Sequence, residues 1–146
     1  MAEQAGFEAL WISDHFHPWV DDTSAAGFVW SWLGMVAART DRVQLGTCVT
    51  CPLFHYQPGL VAQMTATVDR LSGGRMLLGL GTGEAINERS LGFPFPGYGE
   101  RYAPPAETEA PRVLAWISVV NVEVDPRASL VRAHTRNLRQ GRRDRH

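Results

Sequence analysis

The chain repeats one unit three times: a short apolar run, a polar or glycine-rich break, then a helix with one apolar face. The runs are Phe7–Ser13, Val43–Val49 and Met76–Leu80. They end near His15, Cys48 and Glu84, which lie 33 and 36 residues apart. Strands alternating with helices at this period imply parallel strands joined by right-handed crossovers. The runs are almost continuously apolar, as strands covered on both faces are. The fold class is therefore α/β. In such folds ligands gather at the carboxyl ends of the strands, so the three breaks are where chemistry is expected.

The helices follow from spacing. Phe28–Arg39 places Val29, Trp32, Leu33, Val36 and Ala37 at i, i+3, i+4, i+7 and i+8. Pro58 suits a first helical turn. The helix it opens carries Leu60, Val61, Met64, Val68 and Leu71 on one face and stops at Ser72-Gly73-Gly74. A third helix is expected from Glu84 to Ser90. Residues 2–6 read as a last helical turn closed by Gly6, so the chain opens inside an element. Residues 20–27 read as a loop.

After Tyr102 the pattern weakens. Glu107–Trp116 suggests a short helix and Ile117–Val124 a strand. From Arg127 onward seven of twenty residues are arginine, against one acid, Asp144. The expected organisation is a barrel-like unit over residues 1–103, then a divergent, partly disordered arginine-rich tail over 104–146.

Composition narrows the function. A net charge of -1 gives no general attraction to nucleic acid or anionic membranes. The arginine tail has no interleaved aromatic residues and no nucleic-acid-binding fold around it. No apolar run reaches the roughly 18 residues of a spanning helix, and no signal peptide opens the chain. The expectation is a cytoplasmic protein acting on a small molecule, with neither nucleic acid nor membrane as partner.

Several residues carry candidate chemistry. Asp14-His15 sits at a strand end, where an imidazole can exchange protons near neutral pH. The alternative is a structural His–Asp pair. Trp19 can stack on a flat ring or serve as an ordinary core tryptophan. Glu84 directly follows Gly79-Leu-Gly-Thr-Gly83, a turn that presents backbone N–H groups at a helix start. Glu84 is either a general acid or base or a helix-end acid favoured by the dipole. Asn87, one turn on, can hydrogen-bond a polar ligand. The glycine turn alone resembles the first motif of class I methyltransferases, but Leu77 and Leu78 stand where an acid would be. It is no P-loop, lacking Gly-Lys-Ser/Thr. Cys48-x-x-Cys51, with His55 and the His15/His17 pair, has the spacing of half a zinc site, yet no second half follows, and no metal is expected. Pro52 sits where a thioredoxin-like motif would open a helix.

Taken together, Trp11-Ile-Ser-Asp-His15, Leu45-Gly-Thr47, Asp69-Arg-Leu-Ser-Gly-Gly-Arg75 and Leu78-Gly-Leu-Gly-Thr-Gly-Glu-Ala-Ile-Asn-Glu88 resemble the luciferase-like (β/α)8-barrel oxidoreductases. The likeness is greatest to the branch using the deazaflavin coenzyme F420, typified by sugar-phosphate dehydrogenases, and covers about residues 1–103. It implies a partial TIM barrel, about strands 2–4 with their helices, with an irregular tail. It implies hydride transfer between F420 and an organic substrate, a sugar phosphate or other alcohol. His15 and Glu84 would be proton-transfer residues, and Trp19 would sit beside the substrate. Asp14, Cys48, Val49, Cys51, Thr82, Gly83 and Asn87 would contact the coenzyme, with a cis peptide at Cys48-Val49. A complete barrel typically needs about 250 residues, so the chain is expected to be part of one and to self-associate if it folds. The open alternatives are an FMN-dependent monooxygenase of the same superfamily and a truncated, inactive chain.

Overall fold

The computed structural model describes residues 2–20, 25–97, 122–124 and 130–133. The elements are β1 (Ala9–Ile12), α1 (Val29–Ala37), β2 (Gln44–Thr50), α2 (Pro58–Ser72), β3 (Met76–Leu80), α3 (Ala85–Ser90), β4 (Val122–Val124) and β5 (Leu130–Ala133). They form one sheet in the order β1-β2-β3-β5-β4. The first three strands are parallel, with Leu10 opposite Leu45 and Leu45 opposite Met76. That is the β-α-β-α-β-α order read from the period.

The next neighbour of β3 is not a parallel strand. β5 pairs with it antiparallel, Leu78 opposite Val131, and β4 pairs antiparallel with β5. The tail was expected to be irregular, yet Leu130–Ala133 is a strand. The open edge of β3 offers a row of unpaired N–H and C=O groups, and any short apolar segment can satisfy them. β4 is the end of the strand expected over Ile117–Val124. The helix expected over Glu107–Trp116 lies outside the described residues.

The core lies between the sheet and α1 and α2. Leu33, Leu45, Met76, Leu78, Val29, Val43 and Val61 are fully buried there. Each such side chain contributes about 1.5–3 kcal/mol relative to exposure. The helices turn somewhat different faces inward than their spacing suggested. In α1 Trp30 is buried while Trp32 is half exposed. In α2 the buried row is Val61, Ala62, Thr65, Val68, Asp69 and Ser72, while Leu60 and Leu71 lie out at its flanks. Small residues let α2 approach the sheet closely, and the Thr65 hydroxyl is satisfied by the Val61 carbonyl at 2.7 Å.

Glycine tightens the strand pairing at one position. A Cβ on Gly79 would overlap the Thr47 carbonyl oxygen. The buried Thr47 hydroxyl instead bonds both the N–H and the C=O of Gly79, each at 3.1 Å.

The amino-terminal end of the sheet is held by two charged side chains. The Arg75 guanidinium donates to the carbonyls of Ser72, Val43, Ala37 and Thr40 and to the Thr40 hydroxyl. It thus ties the end of α2 to the end of α1 and the start of β2. The Glu3 carboxylate accepts from the backbone N–H groups of Asp41, Arg42 and Val43. These bonds lower its pKa.

Candidate active site

The opposite end of the sheet gathers every residue singled out for chemistry. Asp14, just beyond β1, accepts a hydrogen bond from the Thr50 hydroxyl at 2.7 Å and another from the Tyr56 hydroxyl at 3.1 Å. One carboxylate therefore joins the ends of β1 and β2 and the loop before α2. Burial raises the Asp14 pKa; the Thr50 and Tyr56 bonds oppose this and do not overcome it. Burial also raises the Tyr56 phenol, with the Asp14 carboxylate acting in the same sense.

At the end of β2 the Cys48–Val49 peptide bond is cis, as the resemblance implied. The Ser13 hydroxyl donates to the Cys48 carbonyl at 3.3 Å. The β2–β3 register shifts between Thr47 and Thr50. Cys48 and Val49 are exposed, whereas Cys51 is buried, and both cysteines are free. Burial pushes the Cys51 thiol up to about 12, so it stays protonated near neutral pH. Among the described residues no three His, Cys, Asp or Glu side chains converge as a metal site requires.

The glycine turn after β3 is shaped by packing. A Cβ on Gly81 would run into Val49, and one on Gly83 would lie 2.9 Å from both Cys51 Sγ and Glu88 Oε1. The sequence suggested glycines opened for a ligand; at these two positions neighbouring protein fills the space. Gly83 also adopts φ +83°, which favours glycine. Thr82 lies half-buried between them. Glu84 is the N-cap of α3, yet its side chain makes no capping hydrogen bond. The helix does not use its carboxylate, which is exposed.

Asn87 connects α3 to the end of β1. Its Oδ1 accepts from the N–H groups of Phe16 at 3.0 Å and His17 at 3.1 Å. Its Nδ2 lies 3.1 Å from His15 Nδ1. Asn87 is buried, and its amide is turned toward residues 15–17. The His15 ring meets Trp19 edge-on, 5.1 Å between centroids and 90° between planes. Trp19 is 68% exposed. It lines an open cavity of about 560 Å³ with Gly83, Glu84, Ala85, Ile86 and Phe95. A second cavity of about 390 Å³ is lined by Asp14, His15, Phe16, Phe28, His55 and Tyr56, among others.

Sequence reading took His55 only as a possible metal ligand and missed how the polar residues behind this front pair. His55 Nδ1 lies 3.0 Å from Glu88 Oε2, and Glu88 is only 1% exposed. Thr50 and Tyr56 hold Asp14. The signal available was weak: His55-Tyr56 precedes a helix-opening proline, and Glu88 follows Asn87 on a short helix. Neither pattern says which loop the side chain will reach.

Fold and site together define an α/β protein with a parallel three-stranded layer and a polar cluster on the loops after β1, β2 and β3. The chain belongs to the luciferase-like monooxygenase family, whose profile matches residues 1–108. It is 50% identical over 103 residues to the F420-dependent glucose-6-phosphate dehydrogenase of Beutenbergia cavernae, covering 70% of this chain and 31% of that protein. It is 49% identical over 105 residues to the enzyme of the same name from Intrasporangium calvum, again 70% and 31%. The chain thus spans about a third of the length of these relatives. Among solved structures it is similar to an F420-dependent secondary alcohol dehydrogenase in complex with an F420-acetone adduct. That match has a TM-score of 0.72 and 29% identity, over 92% of this chain and 40% of the other. It is also similar to the coenzyme F420-dependent tetrahydromethanopterin reductase of Methanopyrus kandleri, with a TM-score of 0.62 and 28% identity over 92% and 38%.

Proposed function

We propose that this chain supplies the coenzyme-facing part of an F420-dependent oxidoreductase, corresponding to about strands 2–4 of a (β/α)8 barrel. Trp19 is the observation that carries the reading. It touches the His15 ring and lines the same cavity as Glu84, so the two proton-handling candidates flank one exposed aromatic surface. The half-identical F420-dependent relatives support the same reading.

The residues fit a planar ring. Val49 and Cys48 are exposed at the cis bond, and Trp19 offers a further apolar surface. Glu84 and His15 add polar groups at the margin. When bound, a deazaflavin supplies a ring carbon that exchanges hydride with a substrate carbon bearing oxygen. Asp14, held by Thr50 and Tyr56, fixes the end of β1 against β2. Cys48, Val49, Thr82 and Gly83 provide backbone and side-chain surface for the ring. Cys51, buried behind Gly83, and Asn87, buried behind His15, act by holding that surface in place. The substrate is a small alcohol, with a sugar phosphate the class suggested by the relatives' names.

Fluorescence titration of F420 and of FMN with the purified 146-residue chain tests this. F420 binding is the expected result. Binding of FMN alone would favour the monooxygenase reading, and binding of neither would remove enzyme function from this chain. Where hydride transfer is measurable, His15→Ala should slow it about a hundredfold while changing coenzyme affinity far less. Equal losses would contradict a role at the reacting atoms.

A further inference from the structure

We propose that Asn87 is a positioning residue that fixes the tautomer of His15, leaving Nδ1 as a lone-pair acceptor and the proton on Nε2.

The argument begins with the orientation of the Asn87 carboxamide. One of its terminal atoms lies 3.0 Å from the Phe16 N–H and 3.1 Å from the His17 N–H. Both partners can only donate, so that atom is the oxygen. The other terminal atom is therefore the NH₂, which has hydrogens and no usable lone pair. It lies 3.1 Å from His15 Nδ1. A hydrogen on Nδ1 would face the amide's own hydrogens, so Nδ1 accepts and the ring proton resides on Nε2. The backbone contacts make this assignment firm, because turning the amide over would set its NH₂ against two backbone N–H groups.

Asn87 is buried, sits on α3, and holds residues 15–17 at three points. It is therefore well placed to impose the orientation. The free nitrogen of His15 carries a hydrogen, and the ring's only lone pair is occupied by Asn87. On the proposed hydride-transfer reading, His15 would therefore offer Nε2–H as a hydrogen-bond donor to a substrate oxygen.

The test needs no coenzyme. In ¹⁵N-histidine-labelled protein, a long-range ¹H–¹⁵N correlation distinguishes protonated from unprotonated ring nitrogens, and His15→Gln identifies the His15 signals. At neutral pH, Nδ1 unprotonated and Nε2 protonated is the expected pattern; the reverse in the unmodified chain overturns the proposal. Asn87→Asp keeps an oxygen for the Phe16 and His17 N–H groups and replaces the NH₂ with a second acceptor. It should move the proton to Nδ1, and an unchanged pattern in a folded variant would show that Asn87 does not set the tautomer. Should that variant fail to fold, the unmodified chain still decides. Failure to bind F420 would remove the hydride-transfer reading and leave the tautomer result standing.

Discussion

Asp14 shows what a single residue's surroundings decide. Sequence marks it as an acid beside a histidine. Structure adds that it is largely buried and receives two hydroxyl hydrogen bonds. Its folded pKa lies above the ordinary 3.8 because burial disfavours the charged form. The folded chain therefore holds this proton more tightly than the unfolded chain. The contribution of Asp14 to stability is fully present below 3.8 and is lost as pH rises through the raised value. Asp14→Asn should flatten the fall in urea-unfolding free energy as pH rises above 3.8, after any shared trend is subtracted. A profile parallel to that of the parent would contradict the burial argument. His15 and Glu84 were legible as candidates because their residue types and strand-end positions suffice to suggest chemistry. The partner of the His15 ring was not, because it is an amide 72 residues away.

At the scale of elements, the two ends of the sheet do different work. The amino-terminal end is a structural knot, with Arg75 donating to the closing turns of α1 and α2 and to the first residue before β2. Charge-assisted hydrogen bonds to helix-end carbonyls are among the stronger ones. Arg75→Ala should cost about 2–4 kcal/mol, since several buried carbonyls lose a charged donor at once. Chemical denaturation would measure it, and coenzyme affinity corrected for the folded fraction should stay unchanged. A specific loss of affinity in folded protein would mean that the two ends are coupled. The helix spans were legible: α2 runs from Pro58 to Ser72 as its proline and glycine signals indicated. Its inward face was not fully legible. Periodicity locates the large apolar residues, but close approach to the sheet favours Ala62, Thr65 and Ser72 over Leu60 and Leu71.

For the whole molecule, a parallel three-stranded layer carries the candidate site, and an antiparallel pair, β5 and β4, lies along its β3 edge. Several large apolar side chains stay exposed, among them Trp11, Trp19, Phe28 and Trp32. Such surface predicts association that grows with protein concentration, which sedimentation velocity would detect as a rising weight-average mass. A coenzyme seated at the strand ends would bind only the folded chain. At about 100 times its Kd it should add about 2.7 kcal/mol of stability, read as a rise in Tm. FMN should give no comparable shift if the deazaflavin reading holds.

The sequence by itself determined the α/β alternation, the strand ends as the place where the candidate residues lie, and the family. These rest on local pattern: apolar period, proline and glycine punctuation, and short motifs in order. Only the tertiary structure decided which side chains meet. It joined Asp14 to Thr50 and Tyr56, His55 to Glu88, and His15 to Asn87. Each pairing spans more than 30 residues. Hydrogen bonds depend on direction and a few tenths of an ångström, and local pattern holds no record of either. Packing fixes both by seating the loops on the sheet, and so it sets the proton on His15.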